Sequence, residues 1–273
     1  MCRMLGVVCS DDDLLGCAIH EVRSSLRISN VDKHDGVGIG YYVHDDPLLM
    51  KRPSATSETI DYCELVNEIS SNVLMVHVRN ATVGGWKDVN THPFRFRRWL
   101  FSHVGHLPVL DKNRKHVLET MPPFLLRNVR GETESEVFFH LLLNLLFKAG
   151  RIDDLSLGSE RLAAFLKECI TEIDQLANKD SKDAQDGKFA FLVTNGQVMA
   201  GACRGIPMYY SHREGIFDCT RHEASEQEIQ RHGRFRGIMV GAEMLDPGHQ
   251  WRELAQGTLL SVTKDLKLKV DQL

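Results

Sequence analysis

The chain has 273 residues, of which 42% are hydrophobic and 26% are charged. This balance is typical of a globular protein and excludes disordered and collagen-like architectures. The length suits one large domain or two small ones. The formal net charge is -4, without a long run of one sign, which excludes a nucleic-acid surface and a polybasic membrane surface. We expect small-molecule or protein partners.

Residues 138–147 form the most apolar stretch, but His140 and Asn144 interrupt it. This stretch is about half as long as a bilayer-spanning helix. The start of the chain becomes acidic at Asp11, before the apolar core of a signal peptide could form. The sequence therefore predicts a cytoplasmic protein without a transmembrane helix.

The seven cysteines are odd in number and contain no Cys-x-x-Cys spacing. This pattern argues against a disulfide scaffold and against a zinc knuckle. His103 and His106, with His92 nearby, lack the glutamate and the cysteines that would complete a metal site. Structural or hydrogen-bonding roles are favoured for these histidines, and neither a metal nor a cofactor is predicted.

An acidic run at 11–13 precedes apolar residues at helical spacing, which predicts a first helix over 12–27. Small and bulky residues alternate over 36–43, which predicts a strand that turns back through 48–50. The next predicted elements are a helix over 62–69 and strands over 73–78 and 99–103.

Two strong helical patterns follow, over 137–146 and 162–176, and these helices are expected to pair. The pattern then becomes β, and Asn195-Gly196 predicts a hairpin turn. Strands are predicted over 189–193, 198–200, 208–211, 238–240, 259–262 and 267–270. Residues 219–236 contain few apolar side chains, which predicts a surface loop or a mobile flap, with a solvated connection favoured. The order of elements favours one α+β domain over 1–273.

Glycines alternate at Gly36, Gly38 and Gly40 inside a predicted strand. Their spacing differs from the dinucleotide-binding pattern, and they do not lie at a strand-to-helix turn. The pattern therefore predicts close packing of another segment against this strand rather than phosphate binding.

Cys2 follows the initiator methionine. A small residue at this position favours removal of Met1, which leaves a cysteine with its own α-amine. An α-amino group has a pKa of about 7.7–8.0, so it can serve as the base for its own thiol.

Several motifs follow Cys2 and the strand at 36–40 in a fixed order. They are HVRNATVG at 77–84, NTHPF at 90–94, FSHVGHL at 101–107, GETESE at 131–136 and GAEML at 241–245, with Trp251 after the last. Together they resemble the class II glutamine amidotransferases over most of the chain. The similarity is greatest to compact, stand-alone members, such as the γ-glutamyl amidohydrolase of ergothioneine biosynthesis and the amidotransferase-like subunit of glutathione-degrading complexes.

The resemblance implies a four-layer αββα sandwich of the N-terminal nucleophile hydrolase type. It also implies a thioester mechanism in which Cys2 attacks the side-chain amide of glutamine and the α-amine of Cys2 moves the proton. The implied site residues are Arg79 for the substrate α-carboxylate, Thr82 and His92 in the pocket wall, Gly105 as a backbone oxyanion donor, and Glu134 for the α-ammonium.

Two positions depart from the family pattern. Val104 stands where the family has an asparagine whose amide is the second oxyanion donor. Loss of one such donor typically lowers kcat by about 10²–10³. Glu134 stands where the family usually has aspartate, which retains the charge and lengthens the side chain by one methylene.

Three functions are therefore open at the level of sequence. The leading hypothesis is a hydrolase that acts on glutamine or on a γ-glutamyl conjugate. The alternative is a degenerate, catalytically weak glutamyl-binding or regulatory subunit of a larger complex, and a third is a non-catalytic scaffold. The family-like region takes up nearly the whole chain, so any chemistry that uses the released ammonia is expected in a partner enzyme subunit.

Overall fold

The computed structural model describes residues 2–21, 36–53, 65–80, 87–179, 187–217, 219, 225–243 and 250–273. The strands are β1 Arg3–Cys9, β2 Gly36–Val43, β3 Asp46–Pro53, β4 Val73–Arg79, β5 Phe94–Phe96, β6 Trp99–His106, β7 Lys188–Thr194, β8 Val198–Arg204, β9 Tyr209–Glu214, β10 Arg236–Gly241, β11 Arg252–Glu253, β12 Thr258–Thr263 and β13 Leu268–Gln272. The helices are α1 Leu15–Glu21, α2 Pro108–Lys112, α3 Arg114–Glu119, α4 Pro123–Leu126, α5 Glu134–Lys148, α6 Ser159–Lys179 and α7 Glu226–Arg234, with a 3₁₀ helix at Asp88–Asn90.

The strands form two sheets. The first sheet has seven strands in the order β11-β9-β10-β1-β4-β2-β3, and the second has six in the order β13-β12-β8-β7-β6-β5. All strand pairs within the two sheets are antiparallel. The N-terminal strand β1 lies in the interior of the first sheet, between β4 and β10.

Three groups of buried apolar side chains separate the layers. Successive side chains of a strand point to opposite faces, so Leu100 and Val104 of β6 pack between the two sheets, whereas Trp99 and Phe101 pack against α5 and α6. On the outer side of the first sheet, α1 packs against strands β1, β2, β4 and β10. The fold is thus an α+β sandwich of helix, sheet, sheet and helix, as the sequence predicts.

The N-terminus of α5 is fixed by capping. The Thr133 hydroxyl accepts a hydrogen bond from the Glu136 backbone N–H at 3.4 Å. The Glu136 carboxylate in turn accepts the backbone N–H groups of Arg130 and Gly131, at 2.9 and 2.7 Å. The first bond satisfies a donor that a helix start leaves unpaired, and the other two tie the preceding loop to the first turn of α5.

Several predicted boundaries need correction. The first helix begins at Leu15 rather than at residue 12, and its predicted end, 22–27, lies outside the described residues. The predicted helix over 62–69 lies partly outside them as well. The short helices α2, α3 and α4 were not predicted. None of the helices in the described ranges is long and apolar enough to cross a bilayer.

The prediction of a loop over 219–236 is wrong for most of its length. Helix α7 occupies Glu226–Arg234 and β10 begins at Arg236, while 220–224 lie outside the described residues. The Ser225 hydroxyl caps the helix by accepting the Glu228 N–H at 3.3 Å. The helix has a single apolar side chain, Ile229, which is exposed, and the pairs of Arg231 with Asp11 and Asp13 hold it to the rest of the fold.

The predicted close packing against the glycine-bearing strand is confirmed. A Cβ atom on Gly38 would lie 1.9 Å from the His92 carbonyl oxygen, so the segment with His92 and Pro93 approaches the backbone of β2 directly. At Gly40, the nearest atom to a new Cβ would be a methyl group of Leu100, at 2.9 Å. The absence of a side chain at Gly38 therefore allows the backbone of His92 to pack directly against β2.

We expect Gly38→Ala to lower the free energy of unfolding by about 1–3 kcal/mol, which is the usual cost of overpacking. Gly40→Ala is the matched control, because the Leu100 side chain can move whereas the His92 carbonyl belongs to the backbone. Urea denaturation of both variants measures the difference. Equal stability of the two variants would contradict the packing role of Gly38.

Candidate active site

A small cavity lies where the ends of β1, β4 and β6 meet the N-terminus of α5. It is lined by Cys2, His77, Arg79, Asn80, Asn90, His92, His103, Gly105, Thr133, Glu134 and Ser135. Its volume is about 50 Å³, which is roughly the share of liquid that two water molecules occupy.

The Cys2 thiol lies at this cavity because β1 pairs with β4. The two strands are antiparallel and Arg3 lies opposite Val78. Cys2, which precedes Arg3, therefore lies beside the residues that follow Val78. The Cys2 Sγ atom accepts the Asn80 backbone N–H at 3.2 Å, and it lies 3.3 Å from the Asn80 carbonyl oxygen. Cys2 is half-buried, and its sulfur is held by the backbone of Asn80, the residue that follows β4.

The C-terminal end of β10 lies beside the N-terminal end of β1. The Ala242 backbone N–H donates to the Met4 carbonyl oxygen at 3.1 Å. Arg3 Nε lies 3.2 Å from Glu243 Oε1. Burial raises the pKa of the Glu243 carboxyl, and Arg3 opposes this shift. The GAE part of the GAEML motif at 241–245 thus meets the N-terminal strand, while 244–249 lie outside the described residues.

Two oppositely charged side chains are buried at the cavity. Arg79 ends β4 and is 4% exposed, and Glu134 begins α5 and is 6% exposed. The Glu134 carboxylate accepts His106 Nδ1 at 3.1 Å. Burial of charge is costly unless a partner compensates it. The cavity therefore presents both a cation and an anion to whatever occupies it.

Three histidines form the polar floor of the cavity. His77 Nε2 hydrogen-bonds the His103 carbonyl oxygen at 3.1 Å, and His103 Nδ1 hydrogen-bonds the Ser135 hydroxyl at 2.8 Å. The rings of His77 and His92 lie 4.3 Å apart, centroid to centroid. Neither ring nitrogen of His92 has a hydrogen-bond partner among the described residues. Both nitrogens of the His92 ring are thus buried without a hydrogen-bond partner in the described part of the chain.

All three imidazoles are held neutral. Burial lowers the pKa of His77 to about 3 and that of His103 to about 4, although the His103 carbonyl opposes the shift at His77 and Glu134 opposes it at His103. Burial, together with the neighbouring His77 and His103, lowers the pKa of His92 well below its usual value. Near neutral pH these rings act as hydrogen-bonding groups, not as cations.

Gly105 is required by the backbone of β6. Its φ is +131°, a conformation that side chains with a Cβ rarely adopt. A Cβ atom there would lie 2.1 Å from the Lys188 carbonyl oxygen of β7. The sequence prediction assigned the backbone N–H of Gly105 to an oxyanion, and the structure brings this residue to the cavity.

Val104 packs in the apolar layer between the sheets. It is 6% exposed and belongs to the same buried group as Met4 and Ala190, against which Cys2 also packs. Its side chain therefore lies in the layer that contains the thiol, at a position where the family pattern has an amide donor. The apolar side chain of Val104 cannot donate a hydrogen bond.

The structure brings five of the six predicted site residues to one cavity, namely Cys2, Arg79, His92, Gly105 and Glu134. The sixth, Thr82, lies outside the described residues. Sequence reasoning did not assign pocket roles to His77, Asn80, Asn90, Thr133 and Ser135, which also line the cavity. All five lie within or beside the motifs at 77–84, 90–94 and 131–136, so their neighbourhood in the motifs was the available signal.

The family assignment follows from comparison with known proteins. The family profile described as "Glutamine amidotransferases class-II" matches residues 1–270. The chain belongs to the class II glutamine amidotransferases. Among curated members of this group, it is 27% identical over 250 residues to "Probable glutamine amidotransferase DUG3" of Saccharomyces cerevisiae, a match that covers 84% of this chain and 70% of the yeast protein.

Solved structures share the fold of this amidotransferase. A glutamine aminotransferase class-II domain protein from Silicibacter pomeroyi aligns with a TM-score of 0.61 and 17% identity over 99% of both chains. The glutamine phosphoribosylpyrophosphate amidotransferase of Bacillus subtilis aligns with a TM-score of 0.60 and 16% identity, covering 99% of this chain and 49% of the other. At these identities the structures show a shared fold.

The neutral histidines predict a pH dependence of the stability of this amidotransferase. Their folded pKa values lie below the unfolded value of about 6.5, so the unfolded chain binds more protons at mildly acidic pH. The contribution of the neutral histidines to the free energy of unfolding is fully present above about pH 6.5 and falls as the pH decreases towards 4. His77→Gln should lower the slope between about pH 6 and 5 by up to about 1.4 kcal/mol per pH unit.

Urea denaturation at several pH values measures this slope. Glutamine retains a donor for the His103 carbonyl and removes the titration. His116→Gln, an exposed position on α3, is the matched control and should leave the slope unchanged. An unaltered slope in His77→Gln would show that His77 does not take up a proton on unfolding.

Proposed function

We propose that this amidotransferase hydrolyses the side-chain amide of glutamine or of a γ-glutamyl conjugate through a thioester on Cys2. One observation carries the proposal: the Cys2 thiol shares a small cavity with the buried Arg79 guanidinium and the buried Glu134 carboxylate. A glutamyl group has an α-carboxylate and an α-ammonium on one carbon. Recognition of this group requires one cation and one anion in the same pocket.

The charged groups suit these tasks. A planar guanidinium forms two parallel hydrogen bonds with a carboxylate, so Arg79 is fitted to hold the α-carboxylate. The Glu134 carboxylate can accept the α-ammonium, and it lies at the first turn of α5, where the helix dipole stabilises its charge. The amide end of the substrate is then directed towards Cys2.

The proposed reaction has two steps. In the first, the α-amine of Cys2 takes the thiol proton, Sγ bonds to the amide carbon, and the C–N bond breaks with transfer of a proton to the leaving ammonia or amine. In the second, water adds to the thioester carbon, the C–S bond breaks, and the thiol is regenerated as the free acid leaves. The mechanism requires removal of Met1, because an acylated amine cannot accept the proton.

The developing oxyanion requires donors, and Gly105 is the proposed backbone donor. The Val104 side chain offers no second one. His77 and His103 are neutral imidazoles at the same cavity, and we propose that they order the water that compensates in part for the missing amide. Thr82 and His92 remain proposed members of the substrate pocket.

A second candidate function follows from Val104. Without a second donor, the pocket would bind a glutamyl group and turn it over slowly, so the chain would act as a regulatory subunit. Any transfer of the released ammonia to an acceptor would then require a partner chain. The two functions differ in turnover, whereas both predict glutamyl binding that depends on Arg79.

We expect purified protein that lacks Met1 to release ammonia from glutamine, or an amine from γ-glutamyl amides, and Cys2→Ala to abolish this activity. Cys9→Ser is the matched control, because Cys9 lies at the opposite end of the same strand, where its thiol donates to the Asp11 and Ser71 carbonyl oxygens. This variant should retain activity. A diazo-ketone analogue of glutamine should add once to each chain, at Cys2, as intact mass and peptide mapping will show.

The absence of both turnover and adduct in protein without Met1 would refute the hydrolase proposal. Glutamine binding that is lost in Arg79→Lys, with no turnover, would instead establish the binding subunit.

Val104→Asn tests the missing donor. If one oxyanion donor limits the rate, this substitution should raise kcat by about 10²–10³. Val104→Ala removes a similar amount of apolar surface without adding a donor, and its rate should not rise. An unchanged kcat in a folded Val104→Asn protein would mean that another group already fills the donor's role.

A further inference from the structure

Three ligand-type side chains meet on the outer side of the first sheet, away from the catalytic cavity. Cys17 lies in α1, His232 lies in α7, and Cys219 lies in the segment before α7. One ligand atom from each lies within 4.8 Å of the ligand atoms of the other two. Cys17 and His232 are buried, and Cys219 is half-buried.

We propose that Cys17, Cys219 and His232 form a zinc-binding site. The site is distinct from the Cys2 cavity, because Cys17 packs in the apolar group outside the first sheet whereas Cys2 packs in the group between the sheets. The sheet itself separates the two groups of sulfur atoms.

The geometry is close to that of a tetrahedral zinc site. The Sγ atoms of Cys17 and Cys219 lie 3.3 Å apart. Zinc binds thiolate sulfur at about 2.3 Å, so two sulfurs on a tetrahedral ion are separated by about 3.8 Å. An outward movement of about half an ångström would suffice to admit the ion.

His232 is oriented as a metal ligand usually is. Its Nδ1 hydrogen-bonds the Glu228 carbonyl oxygen at 2.7 Å. In the neutral ring this bond places the proton on Nδ1 and the lone pair on Nε2. In metal sites, the ring nitrogen that does not bind the ion commonly donates a hydrogen bond to a carbonyl or carboxylate, which fixes the tautomer of the histidine.

The helix that carries His232 is itself anchored. Arg231 forms a bidentate pair with Asp11, with distances of 2.8 and 2.7 Å, and also reaches Asp13 at 2.9 Å. The Ile216 backbone N–H donates to the His232 carbonyl oxygen at 3.1 Å. These contacts hold α7 against the start of α1. They therefore position His232 of α7 and Cys17 of α1 without the help of a metal ion.

The donor set selects the ion. Two thiolates and one imidazole are soft to intermediate ligands, which suit zinc rather than magnesium or calcium. Binding releases the two thiol protons to solvent, and the two thiolate charges balance the charge of the ion. Three protein ligands leave the fourth position of a tetrahedral ion for water or another small ligand. A Cys17–Cys219 disulfide would instead require an oxidant that accepts two electrons.

The test uses the full-length protein. Reduced protein, freed of metal by a chelator, is titrated with Co²⁺, whose thiolate complexes absorb in the near ultraviolet, and then with Zn²⁺. We expect saturation at one equivalent per chain, displacement of Co²⁺ by Zn²⁺, and protection of Cys17 and Cys219 from alkylation in the zinc form. Zinc should also be present at about one equivalent in protein purified without chelator.

Variants locate the site. Cys219→Ser and His232→Gln should each weaken binding by at least tenfold, whereas Cys9→Ser should bind as the unsubstituted chain does. Cys2→Ala should also retain binding, which separates this site from catalysis. Circular dichroism verifies that each variant is folded. If a variant does not fold, protection of Cys17 and Cys219 from alkylation in the unsubstituted protein still tests the site.

Three results would overturn the proposal. The first is the absence of a thiolate-to-cobalt band in folded, reduced protein. The second is a band that persists in both Cys219→Ser and His232→Gln. The third is a native protein without zinc whose mass lacks two hydrogen atoms and whose peptide map joins Cys17 to Cys219, which would establish a disulfide in place of the zinc site.

Discussion

The position of β1 in the interior of the first sheet is the constraint on which the rest of the structure depends. Chain termini are usually poorly ordered unless a strand or helix ties them down. Here β4 and β10 form ladders on both sides of β1, and the register with β4 sets Arg3 opposite Val78. Cys2 is therefore fixed at the end of a central strand, next to the Asn80 backbone. The cavity, its charges and its histidines are arranged around that point.

The end of the sandwich concentrates polar groups that the apolar layers elsewhere exclude. Arg79, Glu134 and three imidazoles are buried together at this end. Such burial costs free energy, which packing in the three apolar groups of the sandwich offsets. The same burial keeps the histidines neutral and weakens the screening of the two charges by solvent.

The first sheet divides the sulfur chemistry of the protein into two environments. On its inner face, Cys2 lies beside a cavity and the Asn80 backbone. On its outer face, Cys17 lies beside Cys219 and a histidine on a helix that ion pairs hold in place. Identical thiols thus have different surroundings, and their surroundings, not their count, decide what each can do. The number and spacing of the cysteines in the sequence do not indicate that Cys2 and Cys17 have different surroundings.

The sequence by itself determined the order of most helices and strands, because α5 is a long apolar run, α6 has one apolar face, and the strands carry short apolar runs. It also indicated the family and five of the eleven residues that line the cavity, because motifs with Arg79 and Glu134 follow Cys2 in a fixed order. Only the tertiary structure decided the rest. Helix α7 has a single apolar side chain and is held by a pair between Arg231 and Asp11, which lie 220 positions apart in the sequence. The cluster around Cys17 joins three separate segments. Such contacts leave no local pattern, since residues far apart in sequence meet only after the layers have packed.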